Sequence, residues 1–245
     1  MINLENKTII ITWAASWIGK AIALKCIKYG AIVLACDINK STLTKLKNEC
    51  KEGEIQIFNI DVSKIEQITQ VFDTCKKQKI HIDWLVNNAG IYLGKSIFEY
   101  TDEEINKVIE VNIKSAIFFS KNFAQYKIKN KEYGSIINIS SVSGQEWSSD
   151  AIYGLSKAAL IGLTKSNAIN FSPYIRVNAI APGIVETAMV KNIPKQRLKS
   201  YREHELINDP IDVWDVANTA IFLLSDATKN YTGTVFDINN GCYLR

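Results

Sequence analysis

Tyr153 and Lys157 stand four residues apart in the run Tyr153-Gly-Leu-Ser-Lys157, a spacing that brings a phenol and an ammonium to one face of a helix. A buried ammonium beside a phenol favours the phenolate. The spacing therefore predicts a tyrosine pKa drawn down from its ordinary value near 10 toward working pH. Such a phenol can give a proton to a carbonyl oxygen or take one from an alcohol. Alone, the pair is a common surface arrangement. It gains weight from its position downstream of two hydroxyls, Ser140-Ser141, and of a short polar turn, Asn87-Asn88-Ala89-Gly90.

The elements that must position these groups alternate along the chain. Short apolar runs rich in Ile and Val read as strands at 8–12, 31–36, 55–59, 84–87, 135–140, 175–181 and 234–238. Helix-length segments fall between them at 18–29, 41–52, 64–77, 102–127, 153–171 and 212–224. This alternation predicts an α/β fold, a Rossmann-like doubly wound parallel sheet of about seven strands with helices on both faces. No internal repeat or linker interrupts it, so residues 1–245 are expected to form a single domain. The irregular stretch at about 187–210, with Lys191, Lys195, Arg197, Lys199 and Arg202, suits a lid over a site or a solvated surface helix.

A net charge of +4, dispersed along the chain, argues against a nucleic-acid partner. Five scattered cysteines without CxxC spacing and only two histidines, His81 and His204, argue for reduced thiols and against a metal site. No apolar run approaches the ~20 residues that cross a bilayer, and the start of the chain lacks a signal-peptide layout. A cytoplasmic protein without membrane contact is the expectation.

Thr12-Trp-Ala-Ala-Ser-Trp-Ile-Gly19 follows the first strand and runs directly into a helix. In a βαβ unit that is where a dinucleotide's pyrophosphate rests on free N–H groups at the positive end of the helix dipole. The second strand ends at Asp37, whose carboxylate can accept from the adenosine ribose hydroxyls and repel a 2′-phosphate, favouring NAD over NADP. Asp61-Val62 and Asn88-Ala89-Gly90, after the third and fourth strands, fall on the same sheet edge, where ligands of such folds bind.

Taken together, the chain resembles the short-chain dehydrogenase/reductase family, in its single-domain branch, over nearly its whole length. The resemblance rests on Thr12 to Gly19, Asp37, Asp61-Val62, Asn87-Asn88-Ala89-Gly90, Asn112, Asn138-Ile-Ser-Ser-Val-Ser-Gly144, Tyr153 with Lys157, and Pro182-Gly-Ile-Val-Glu-Thr187. It implies that Tyr153 is the general acid and base. Lys157 lowers the phenol's pKa and holds the nicotinamide ribose, and a serine orients the substrate oxygen. The Ser-x-x-Gly motif selects Ser141 as that serine, whereas spacing to the tyrosine selects Ser140; Ser141 is preferred. Asn112, in Val111-Asn112-Ile113, is expected to distort its helix and hold a water that relays protons to Lys157. The cofactor is expected to lie along Thr12, Ser16, Ile18, Gly19, Asp37, Asp61, Val62, Asn88, Ala89, Gly90, Val111, Tyr153, Lys157, Pro182, Gly183, Ile184 and Thr187. Of these, Ile184 and Thr187 should flank the carboxamide and set which ring face gives up hydride. A small alcohol or ketone is the implied substrate, and a homo-oligomer (dimer or tetramer) through the helices at 102–127 and 153–171 the implied assembly. The sequence is similar to 3-oxoacyl-carrier-protein reductases and to sugar or polyol dehydrogenases. The close Tyr–Lys spacing differs from that of the family's enoyl reductases.

One motif departs from the family. Its phosphate turn reads Thr-Gly-x-x-x-Gly-x-Gly, and here Trp13 and Trp17 replace the first two glycines. Glycine suits a tight turn that a cofactor passes closely, and indoles there predict poor dinucleotide binding. Two readings follow. Either the tryptophans are genuine and the chain is a catalytically silent scaffold, or UGA codons that the source reads as glycine have been written as tryptophan. Gly accounts for 12 of 245 residues, below the roughly 7% of an average protein, which favours the second.

Overall fold

The computed structural model describes residues 3–51, 54–187, 190, 193 and 195–244. The strands are β1 (Thr8–Thr12), β2 (Ile32–Asp37), β3 (Ile55–Asn59), β4 (Trp84–Asn87), β5 (Gly134–Ile139), β6 (Ile175–Pro182) and β7 (Val235–Ile238). They form one sheet in the order β3-β2-β1-β4-β5-β6-β7, and every pairing is parallel. The helices are α1 (Trp17–Lys28), α2 (Lys40–Glu49), α3 (Ile65–Lys77), α4 (Asp102–Ile109), α5 (Ser115–Asn130), α6 (Ala151–Asn170), α7 (Lys195–Glu203) and α8 (Val213–Leu224).

β1 shows why the sheet must be covered twice. Its three consecutive isoleucines are all fully buried, which an alternating strand achieves only with apolar cover on both faces. Ile9 and Ile11 pack into a core with Ile22, Ala217 and Ile221 from α1 and α8. Ile10 points the other way, toward Val71, Phe119 and Phe123 from α3 and α5. Strand order reverses between β1 and β4, opening a crevice at their carboxyl ends where ligands of such sheets bind.

The helix expected at 102–127 is divided. α4 passes through a π-helical turn, Glu110–Lys114, before α5 begins. Asn112 lies at the centre of that turn, so the expected distortion is present. α6 begins at Ala151 rather than 153 because Asp150 caps it, accepting from the Tyr153 N–H at 2.9 Å. Within the irregular stretch, α7 forms over Lys195–Glu203; Lys191 lies outside the described residues.

Candidate active site

Tyr153 and Lys157 project from the first turns of α6 into the crevice, where they line a cavity of about 430 Å³. The Lys157 ammonium lies 5.6 Å from the centre of the Tyr153 ring and donates to the Ile139 carbonyl at 2.9 Å. Gly90 permits this approach: a Cβ on it would stand 3.1 Å from the Lys157 nitrogen. Ser141 hydrogen-bonds the Tyr153 hydroxyl. Ser140 instead donates to the Lys157 carbonyl at 2.8 Å, tying the end of β5 to α6. The geometry therefore separates the two serines and sets Ser141 beside the phenol.

Protonation differs from the sequence expectation. Burial pushes the Tyr153 phenol up to about 12, only partly opposed by its Ser141 hydrogen bond. Burial also brings the Lys157 ammonium down to about 8. Both shifts have one cause, because an enclosed site penalises the charged form of each group. The Lys157 charge, held toward the ring and the Ile139 carbonyl, does not lower the phenol as expected.

Asn112 is completely buried and its carboxamide is committed. It accepts from the Ile91 N–H at 2.8 Å, and donates to the Ile91 carbonyl at 3.0 Å and to the Ser156 hydroxyl at 2.9 Å. Its side chain thus clamps the chain after β4 to the π-turn and α6.

The expected cofactor residues fall into two groups. Ser16, Ile18, Asn88, Gly90, Pro182, Gly183, Ile184 and Thr187 line the same cavity as Tyr153 and Lys157. Thr12, Gly19, Asp37, Asp61, Val62, Ala89 and Val111 do not. The Thr12 hydroxyl accepts from the Asn88 and Ala89 N–H groups at 2.9 and 3.0 Å, joining β1 to the turn after β4. Asp37 is 2% exposed, its carboxylate accepting from the Ala15 and Asn39 N–H groups at 3.1 and 3.0 Å. It fastens the first turn to the end of β2 rather than projecting into the cavity. Asp61 accepts from the Ser63 N–H and hydroxyl, and Val62 packs into the core beneath α3.

At one end the crevice presents a phenol, an ammonium, the Asn88 carboxamide and small residues, a lining that would accept the nicotinamide of a dinucleotide. At the phosphate end Trp13 and Trp17 line the wall, and with indoles at both positions this end does not suit a pyrophosphate.

Several residues of the site carry no signal in residue spacing. Tyr92 meets the Tyr153 ring edge-on with centroids 5.0 Å apart. Tyr201, from α7, and Val142 also line the cavity, and the Tyr201 hydroxyl bonds the Glu146 carboxylate. Asp150, wholly buried, accepts from the Tyr100 hydroxyl at 2.7 Å and the Gly94 N–H at 2.9 Å while capping α6. Its place just before a helical pattern was a legible N-cap signal.

Comparison with known proteins bears on the whole chain. A family model described as enoyl-(acyl carrier protein) reductase matches residues 14–243. The chain is 36% identical over 250 residues to a 3-oxoacyl-[acyl-carrier-protein] reductase of Thermotoga maritima, covering 99% of this chain and all of that protein. It is 28% identical to a meso-2,3-butanediol dehydrogenase of Serratia marcescens, covering 98% of this chain and 95% of the relative. The solved 3-oxoacyl-[acyl-carrier protein] reductase of Brucella melitensis superposes with a TM-score of 0.89 at 28% identity, over all of this chain and 94% of that one.

Proposed function

This chain belongs to the short-chain dehydrogenase/reductase family and is one of its NAD(P)-dependent oxidoreductases; from that premise we propose that it interconverts a secondary alcohol and a ketone, with Tyr153 giving and taking the proton. The observation that carries this reading is the convergence of Tyr153, Ser141 and Lys157 on one cavity. The bound nicotinamide supplies the hydride. In the reducing direction, Ser141 and Tyr153 direct their hydroxyls at the substrate oxygen. Tyr153, protonated far above neutral pH, then donates its proton as negative charge develops there. Lys157, on the next turn of α6, is assigned to holding the nicotinamide ribose. Alcohol oxidation needs the phenolate at the outset, so it is expected to accelerate as pH rises.

NAD is the proposed cofactor. The support is the sequence position of Asp37, an acidic residue ending β2 where a negative charge disfavours a 2′-phosphate even though its side chain is engaged by the turn. The substrate is an alcohol or ketone of the kind the relatives' names indicate, acyl-carrier-linked or a small diol or sugar. Thr187, Val190, Ile193 and Tyr201 line the cavity, which supports the reading of the 187–210 stretch as a lid over a single 1–245 domain. We place the protein in the cytoplasm, and no helix among the described residues is long and apolar enough to cross a membrane. The silent-scaffold reading draws on the two indoles at the phosphate end. Incubation of protein carrying glycine at 13 and 17 with a panel of ketones and either NADH or NADPH tests the proposal. Oxidation of NADH with at least one ketone is expected, and no turnover with either nucleotide contradicts it.

A further inference from the structure

We infer that positions 13 and 17 are glycine in the protein its source makes, the written tryptophans arising from UGA codons that the source reads as glycine. The backbone carries the argument. Trp13 and Trp17 have φ of +52° and +49°, in the left-handed region where a bulky side chain is a genuine outlier and glycine the default. The other described non-glycine residues with positive φ are Asn6, Lys79, Lys131 and Asn240. Asparagine tolerates this region, and Lys79 and Lys131 sit just beyond the ends of α3 and α5, where left-handed residues commonly stop helices. Neither excuse applies to a tryptophan inside the turn, or to one opening α1.

The turn cannot relax to relieve the two residues, because its neighbours fix it on several sides. The Ala14 N–H donates to the Cys36 carbonyl at 3.1 Å and the Ala15 N–H to Asp37. Asn88 donates to the Trp13 carbonyl at 3.2 Å. A Cβ at Gly19 would lie 2.0 Å from that same carbonyl oxygen, so the turn packs directly on the start of α1. The backbone at positions 13 and 17 is thus held in the conformation that glycine adopts by default. Trp84, Trp147 and Trp214 lack positive φ, so the backbone makes no such demand there. UGA is a codon whose meaning varies among genetic codes. A table that reads it as tryptophan, applied to a gene whose host reads it as glycine, writes Trp at glycine positions.

The inference is tested by sequencing codons 13 and 17 in the source and by mass spectrometry of the tryptic peptide spanning them, from protein isolated from that organism. UGA codons with glycine in the peptide are expected; UGG codons, or tryptophan in the peptide, overturn the inference. In parallel, thermal unfolding of the written chain and of the Trp13→Gly/Trp17→Gly variant is followed with and without NADH. A cofactor-dependent rise in Tm for the variant alone supports the inference, and equal rises in both oppose it. A lack of response in both forms counts against the enzymatic reading, while the codons still decide the residues.

Discussion

Tyr153 and Lys157 are held in a site that disfavours their charged forms, and this has consequences measurable without substrate. The Lys157 ammonium titrates near 8 in the fold against about 10.4 in an unfolded chain. Between those values the unfolded chain binds more protons, so stability rises with pH there. Below pH 8 the folded protein carries the whole penalty, roughly 3 kcal/mol; above the unfolded value it carries none. Lys157→Met removes this dependence. Urea unfolding at pH 7 and pH 10 is therefore expected to show the parent gaining on the variant as pH rises, and parallel profiles would contradict the burial argument. The two adjacent serines give a second contrast at this scale. Ser141→Ala is expected to lower ketone reduction by about 10²-fold. Ser140→Ala, which loses only the tie to the Lys157 carbonyl, should act mainly on stability. The reverse order in steady-state rates would transfer the role to Ser140.

At the scale of elements, the first two turns of α6 depend on Asp150. Its carboxylate caps the helix at Tyr153 and at the same time holds Tyr100 and Gly94. Asp150→Ala is expected to cost roughly 2 kcal/mol of stability and to lower kcat more than it raises KM, because the phenol loses its aim. An unchanged kcat would show that α6 needs no such anchor. The strands were legible as short unbroken apolar runs, and most helices as the longer segments between them: β1 and β4 span the residues their patterns indicate, and α3 differs only at its first residue. The break between α4 and α5 was legible only through Asn112. Its cause is a carboxamide reaching Ile91, which lies far away in sequence. Tyr153, Lys157 and Ser141 were legible by spacing and motif. Tyr92 and Tyr201 were not, since they reach the cavity from irregular chain whose path no period dictates. Asp37 was legible as the end of β2, but not as a clamp for the preceding turn, because that role depends on where the Ala15 N–H points. The downward phenol shift expected from the Tyr–Lys pair failed for a similar reason: spacing reports proximity, whereas burial decides which charge state is stable.

For the molecule as a whole, α5 and α6 present Ile117, Ile128, Leu155 and Ile169 to solvent. An apolar face of this kind on two long helices suits a second copy of the chain. Light scattering is expected to give a dimer or tetramer, and Leu155→Lys with Ile169→Lys to shift it toward monomer; a monomeric parent would remove the assembly from the account. The central claim concerns the crevice where the strand order reverses, in which one phenol exchanges a proton with a substrate oxygen. The most direct measurement is ketone reduction by Tyr153→Phe, in protein carrying glycine at 13 and 17, with folding verified by circular dichroism. A loss of about 10²–10⁴-fold in kcat is predicted, and turnover equal to that of the tyrosine enzyme would contradict the mechanism.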